Sequence, residues 1–264
     1  MKTILYYFSA TGNSLSITRK LSSELGNCEI VPIAKAIKEE TVEAQTDKVG
    51  FIFPVYAWGM PRIISEFIQK INISKDSYVF AIASCVAIQG NTLRDLKNEL
   101  QKKGINLKAG FVVSGGRSSL MNLNMLDKII IAIDRQRNKI KSFDERMTDI
   151  VKAINNNERR KIETSSFGAN IFGSMFHNMA IKSFASIDSQ FIVGESCKGC
   201  GNCAKICPRS NILLENNRPS FKNNCEFCHS CIQWCPNFSI KHPNFDSTLK
   251  QYRNPEIKLK DMMI

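Results

Sequence analysis

Long apolar runs are missing from this 264-residue chain; stretches such as Ile129 to Ile133 fall far short of the roughly 20 residues that span a bilayer. Met1 to Ala10 holds an apolar stretch, but a single Lys precedes it and no small-residue cleavage site follows, so it does not read as a signal peptide. Histidine is scarce: His177, His229 and His242 are too scattered to form a ligand set. No Gly-Lys-Ser/Thr closes a glycine loop, which excludes a Walker site, and the absence of G-x-G-x-x-G argues against direct oxidation of NAD(P)H. No general acid or base stands out. Acidic residues number 24 against 36 basic, a net charge of +12. No nucleic-acid motif accompanies that excess, so nucleic acid is not the expected partner. Lys128 to Lys161 carries ten basic residues against five acidic, including Arg135, Arg137, Lys139 and Lys141. That segment is either a solvated helical face or a docking surface for an acidic protein, since complementary fields raise encounter rates.

Cysteine is the opposite case. Eight of the ten fall between Cys197 and Pro236, where one pattern is written twice: Cys197, Cys200, Cys203, Cys207-Pro208, then Cys225, Cys228, Cys231, Cys235-Pro236. Each half reads C-x2-C-x2-C-x3-C-P, the run for a pair of 4Fe-4S clusters in which the fourth Cys serves the other cluster. On that pattern the first cluster takes Cys197, Cys200, Cys203 and Cys235, and the second takes Cys225, Cys228, Cys231 and Cys207. Closely spaced thiolates let a short loop curl round one face of a cuboidal cluster, and the proline turns the chain away because it cannot continue a helix. Zinc is the rival, since repeated C-x2-C is also knuckle spacing. Paired knuckles would leave Cys203, Cys207, Cys231 and Cys235 unexplained, and a disulfide framework suits the pattern less still. Asn211 to Leu214 and Arg218 to Phe221 flank Glu215-Asn216-Asn217 as a small hairpin. Phe238-Ser239-Ile240 is the corresponding strand after the second half. These residues resemble a two-cluster bacterial ferredoxin of the clostridial kind, over residues 191–242.

The preceding chain, about 190 residues, alternates strand and helix. Strands are expected at Thr3 to Phe8, Cys28 to Ile33, Lys48 to Phe53, Tyr78 to Ala83 and Leu107 to Val113. Helices follow with core stripes at Ile17, Leu21 and Leu25, at Ile63, Ile64, Phe67, Ile68 and Ile71, and at Leu93, Leu96 and Leu100. A parallel doubly wound sheet is the economical α/β fold, and its ligands lie beyond the carboxyl ends of the strands. Three unusual loops fall at that edge. Ser9-Ala10-Thr11-Gly12-Asn13-Ser14 offers hydroxyl and amide donors at a helix start with no positive charge, which suits a phosphate monoester; a simple N-capping loop is the rival. Pro54-Val55-Tyr56-Ala57-Trp58-Gly59-Met60 and Ser84-Cys85-Val86-Ala87-Ile88-Gln89-Gly90-Asn91 follow the third and fourth strands. Residues 1–157 thus resemble a flavodoxin with a five-stranded sheet. The resemblance implies FMN, its phosphate on Ser9, Thr11, Gly12, Asn13 and Ser14, and its ring between Pro54–Gly59 and Ser84–Asn91, with Tyr56 or Trp58 stacking. The second ring loop lacks the usual Tyr or Trp, so small side chains or a partner cover that face. Ser114-Gly115-Gly116-Arg117 either lines this edge or is a plain turn. Cys28 and Cys85 read as small buried residues, though Cys85 would lie beside the flavin.

A helix is expected at Asp144 to Ile154, and an amphipathic segment at Phe167 to Phe184, with Ile171, Phe172, Met175, Phe176 and Met179, reads as either a bracket between the modules or a linker helix. The expected organisation is 1–157, a helical linker at 158–190, 191–242, and a tail at 243–264 running over the surface. The whole resembles the flavodoxin and ferredoxin fusions of anaerobes. It implies a cytoplasmic electron-transfer protein carrying FMN and two 4Fe-4S clusters, served by an acidic redox protein such as a ferredoxin or flavodoxin, or by an oxidoreductase. The rivals are an FMN-dependent reductase of a small organic acceptor and a redox or oxygen sensor.

Overall fold

The computed structural model describes residues 2–86, 88–114, 140–165, 167–245 and 250–264. Ala87, Gly115 to Arg117, and Arg135, Arg137 and Lys139 of the basic segment lie outside the described residues, as do the side chains of Ile171 and Phe172. Five strands form one sheet: β1 (Thr3–Tyr7), β2 (Cys28–Pro32), β3 (Lys48–Pro54), β4 (Tyr78–Cys85) and β5 (Leu107–Ser114). They pair in parallel in the order β2-β1-β3-β4-β5, the doubly wound order of flavodoxins. Each expected strand is present; β3 and β5 run one residue and β4 two residues further than their apolar stretches.

Alternation along the strands explains the two cores. Tyr6, Val49, Phe51, Phe53, Val79, Ala81 and Ala83 point to one face with the helices α2 (Arg62–Lys70) and α3 (Thr92–Lys102), giving a cluster that includes Ile63, Phe67 and Leu96. Leu5, Ile52, Phe80, Ile82 and Phe111 point to the other with α1 (Asn13–Leu25) and α4 (Phe143–Asn155), through Ile17, Leu21, Ile150 and Ile154. A sheet buried on both faces reads as unbroken apolar runs, which is why its strands stood out. The short parallel pair Val42–Ala44 with Ile71–Ile73 did not, because three residues are too few to show a period.

An 18-residue helix, α5 (Phe167–Phe184), leads to the cysteine-rich unit. There Ile212–Glu215 and Arg218–Phe221 pair antiparallel around Asn216 and Asn217, both left-handed at φ 50 and 60, as a type I′ hairpin turn requires. Ile240–Lys241 pairs with Ile192–Val193. No helix among the described residues is long and apolar enough to cross a membrane.

Lys48 opens β3 and is buried. Its Nζ donates to the carbonyl oxygens of Ile154 (2.6 Å) and Asn155 (3.2 Å) at the end of α4, where helical carbonyls lack partners. Lys48→Met keeps the stem but leaves those carbonyls unpaired. It should destabilise the protein by about 1–3 kcal/mol, read as a lower urea midpoint; an unchanged midpoint would show that the charge contributes nothing.

Candidate functional site

Three loops meet at the carboxyl edge of the sheet. One cavity there is lined by Ser9, Ala10, Thr11, Asn13, Ser14, Pro54, Val55, Tyr56, Ser84, Cys85 and Val86. The loops are tied together: Ser14 Oγ and Ser84 Oγ are 3.3 Å apart, and Val55 N–H donates to Ser84 O at 2.9 Å. Gly12 is left-handed at φ 96 and stands at the start of α1, which has no side-chain cap and no acidic residue in its first turn. Ser9 Oγ accepts from the Gly12 N–H at 3.1 Å, just ahead of the helix, and Asn13 and Ser14 of its first turn line the cavity, at a helix start where an anion is favoured. The cavity measures about 40 Å³. That is space on the scale of a phosphate rather than of an isoalloxazine ring, so the donor set fits the phosphate end of FMN, and the two ring loops must part to admit the rest.

The two aromatic candidates go separate ways. Tyr56 lines the cavity, its ring edge-on to Phe8 at 5.9 Å between centroids. Tyr56 and Gly59 exchange backbone hydrogen bonds of 3.0 and 2.9 Å, with Ala57 and Trp58 left-handed at φ 46 and 61. This tight turn throws Trp58 outward onto Phe176 of α5, 4.7 Å between centroids. Ala57, Trp58, Gly59, Gly90 and Asn91 do not line the cavity. Gly90 is where the Trp58 carbonyl passes, in space a Cβ would fill, and Asn91 Nδ2 donates to Ser174 Oγ at 2.5 Å. Cys85 is buried at the end of β4. His177 Nδ1 lies 3.2 Å from Tyr56 O, so α5 grips the ring loop from behind.

The tail crosses the phosphate loop, which sequence reasoning did not foresee. Asn254 N–H donates to Thr11 O at 2.8 Å; Tyr252 Oη and Asn254 Nδ2 donate to Asn13 Oδ1 at 2.8 and 3.1 Å; Ser16 bonds to Glu256. Ile257 occupies the space that a Cβ on Gly12 would need, 2.9 Å away. The same tail holds the cysteine unit, with Gln251 Nε2 donating to the carbonyls of Ile232 and Cys235 at 2.6 and 2.7 Å. Trp234 Nε1 donates directly to Ala10 O at 2.8 Å. Tyr252, Pro255 and Ile257 were the available signal in an otherwise polar tail, but partners some 240 residues away leave no local pattern.

The cysteine unit repeats itself at an offset of 28 residues, Cys197 to Cys225. Left-handed residues recur in register: Gly199 with Phe227, Gly201 with His229, Ser210 with Phe238. Asn211 N–H donates to Cys207 Sγ and Ser239 N–H to Cys235 Sγ, each at 3.3 Å. One cavity is lined by Cys197, Cys200, Cys203 and Cys235. Burial, opposed by the Ala204 N–H and reinforced by Cys200, Cys235 and Cys197, pushes the Cys203 thiol up to about 11. Burial lifts Cys225 to about 12 and Cys228 well above the thiol range, with Cys207 among the neighbours of both. These thiols would stay protonated alone; a cationic centre is what makes buried thiolates stable. Among the described residues no three His, Cys, Asp or Glu side chains close on one point as a single ion requires; thiolates on a cuboid bind separate irons. The grouping of the thiols therefore suits iron–sulfur chemistry.

Part of the cysteine unit abuts the same side of the sheet. Cys228 packs in the core cluster that contains Tyr56. Glu226 Oε1 accepts from Ile63 N at 3.2 Å, capping α2 from the other module, and Arg209 holds Glu66 in a bidentate pair at 2.7 and 2.9 Å. Burial raises Glu226 to about 7. Phe184 of α5 meets Phe227 at 5.1 Å, and Cys225 N–H donates to Ala185 O at 3.0 Å. α5 thus touches both modules.

The sequence model of the Flavodoxin domain family matches residues 4–144, more than half of the chain, and that of the 4Fe-4S dicluster domain matches residues 190–236. No curated protein matches the chain. Similar solved structures include a flavoprotein of Bacteroides eggerthii, at 22% identity over 53% of this chain and 99% of that one, TM-score 0.34. A flavodoxin of Streptococcus pneumoniae TIGR4 shares 13% identity over 52% and 99%, TM-score 0.35. The two-electron reduced flavodoxin of Megasphaera elsdenii shares 14% over 42% and 85%, TM-score 0.30.

Two outcomes test this geometry. Cys207→Ser, although it alters the first run, should abolish the same cluster as Cys225→Ser, and anaerobic protein should fall from about eight irons per chain to about four; loss of the cluster that Cys203→Ser removes would refute the interleaving. If the first loop grips phosphate, FMN should bind far more tightly than riboflavin. Thr11→Ala should then remove about 1.5–3 kcal/mol, tenfold or more in affinity, and equal binding of the two flavins by titration calorimetry would contradict it.

Proposed function

Because this chain belongs to the Flavodoxin domain family and carries a 4Fe-4S dicluster domain behind it, we propose that it relays electrons between FMN and two 4Fe-4S clusters within one polypeptide. Its two domains make it an iron–sulfur flavoprotein of electron transfer. A cluster exchanges electrons singly and FMN takes one or two, so a fused pair converts between the two. The residues contribute grip, order and dryness. Ser9, Thr11, Gly12, Asn13 and Ser14 bind the phosphate; Tyr56, with Pro54 and Val55, and Ser84 to Val86 flank the ring. The observation that carries the reading is that Cys228 packs against the same core cluster as Val55 and Tyr56 of the ring loop, while Cys200 of the other set is exposed. In this reading the set that includes Cys228 lies nearer the flavin loops and the set that includes the exposed Cys200 lies nearer solvent. Modules divided near 157, 190 and 242 suit this arrangement, with the tail as a strap.

The partner side follows from the same order. Arg159, Arg160 and Lys161 line a cleft of about 570 Å³ with Arg94, Lys97 and Lys108, at the amino end of β5 and so away from the flavin edge. Arg146 is spent on Glu163, and Arg160 on Glu158 and Asp149. The exposed rim at Lys198 and Cys200, in a unit (191–242) with six basic residues against three acidic, is the better landing site for an acidic ferredoxin or flavodoxin. In anaerobic holoprotein, flash reduction of the clusters should bleach the flavin at a rate unchanged by tenfold dilution. Reduction by an acidic ferredoxin should slow as salt shrinks the Debye length from about 10 Å at 0.1 M to about 3 Å at 1 M. An internal rate proportional to protein concentration would mean transfer between molecules and would end the relay reading.

A further inference from the structure

The polarity of the tail's contact with the first loop is fixed by the chain itself. Glu256 N–H can only donate, and its partner at 3.0 Å is Asn254 Oδ1. That leaves Asn254 Nδ2 as the donor on the other prong, and it meets Asn13 Oδ1 at 3.1 Å. Tyr252 Oη donates to the same Asn13 oxygen at 2.8 Å. Two donors therefore hold one prong of the Asn13 carboxamide from outside, since neither Tyr252 nor Asn254 lines the three-loop cavity. Asn13 does line it, and the prong turned from the tail is Nδ2, a donor. The tail is itself anchored: Gln233, between Cys231 and Cys235, accepts from Tyr252 N–H on Oε1 at 2.7 Å and from Arg253 Nε on its carbonyl oxygen at 2.6 Å. Arg253 also lies over the Trp234 ring, 5.4 Å from its centroid, so this cation is held on the cysteine unit.

We propose that Tyr252 and Asn254 are positioning residues for phosphate recognition, orienting Asn13 so that its Nδ2 donates to the phosphate monoester of the flavin nucleotide. This rests on the phosphate reading of the Ser9 to Ser14 loop. Orientation decides the sign of the contact there. The cavity lining holds no Lys or Arg among the described residues, so the loop attracts an anion only through oriented donors. A carboxamide turned round would set its carbonyl oxygen against phosphate oxygens, acceptor against acceptor. The tail thus confers specificity for the phosphorylated flavin from outside the cavity.

The test is Tyr252→Phe in anaerobic protein stripped of flavin with its clusters retained, titrated calorimetrically with FMN and with riboflavin; iron content is the control for the cysteine unit. FMN affinity should fall about three- to tenfold, the loss expected of one hydrogen bond, and riboflavin affinity should hold. Asn254→Ala should do the same. In an Asn13→Ala background Tyr252→Phe should cost nothing further, because the group it orients is gone. Unchanged FMN affinity, an equal loss for both flavins, or a loss that persists without the Asn13 carboxamide would overturn the proposal. Equal binding of FMN and riboflavin by the unaltered protein would instead defeat the phosphate reading on which it stands.

Discussion

Thiolate charge has to exist where little water reaches: Cys231 is buried and Cys228 half-buried, and burial first, then the neighbouring cysteines, pushes both thiols well above their ordinary range. A charge in that setting persists only against a multivalent cationic centre with N–H donors around its sulfurs. The local backbone follows from this. To turn several thiolates inward within a few residues, the chain adopts left-handed conformations at Gly199, Gly201, Phe227 and His229, and two of these are not glycine, a cost accepted where surrounding structure fixes the turn. To keep water out, Phe191, Phe221, Phe227, His229, His242 and Phe245 form a continuous set of ring contacts. The histidines there pack as flat apolar bodies rather than as ligands.

The second consequence is the junction. A dry cysteine set needs an apolar wall, and the carboxyl edge of the doubly wound sheet provides one next to helix N-termini that favour negative charge. The same edge therefore suits a phosphate at α1 and the Glu226 carboxylate at α2. The attachment joins a buried apolar cluster of Leu15, Ile206, Trp234, Ile257 and Met262 to polar contacts from Trp234 to Ala10, Glu226 to Ile63 and Arg209 to Glu66. Such contacts are directional, so they fix distance and orientation between the modules in a way that apolar contact alone would not.

Most of this was legible where the constraint is local. Five apolar strands, the stripes of four helices around them and the doubled cysteine spacing each carry their period within a few residues, and the structure contains all of them. The Ser9 to Ser14 loop stood out as a candidate because hydroxyls and Gly12 crowd a helix start without a positive charge. What stayed hidden depends on contacts distant in sequence. Nothing near Tyr252 or Asn254 announces that their partner is Asn13. Tyr56 and Trp58 are equivalent as sequence, and only the left-handed pair Ala57-Trp58 decides that the indole turns toward Phe176 and the phenol inward. The pair Val42–Ala44 and Ile71–Ile73 is too short for periodicity to register. For the basic segment, net charge was readable and its location was not, since the described arginines divide between ion pairs and a cleft at the far end of β5.

The strap explains why the order of modules matters. Gln251 to Ile257 binds the second cysteine run through its backbone carbonyls and the phosphate loop through Asn13 and Thr11. Each attachment is a few hydrogen bonds, modest singly, yet a segment already anchored at one end meets the other at high effective concentration. A ligand on the phosphate loop and an intact second run thus favour the same position of the strap, and each stabilises the state the other needs. A strap of this kind can form only if the chain leaves the cysteine unit and returns to the first loop of the sheet, which requires the flavin-type module to come first and the cysteine unit to be followed by a free length of chain.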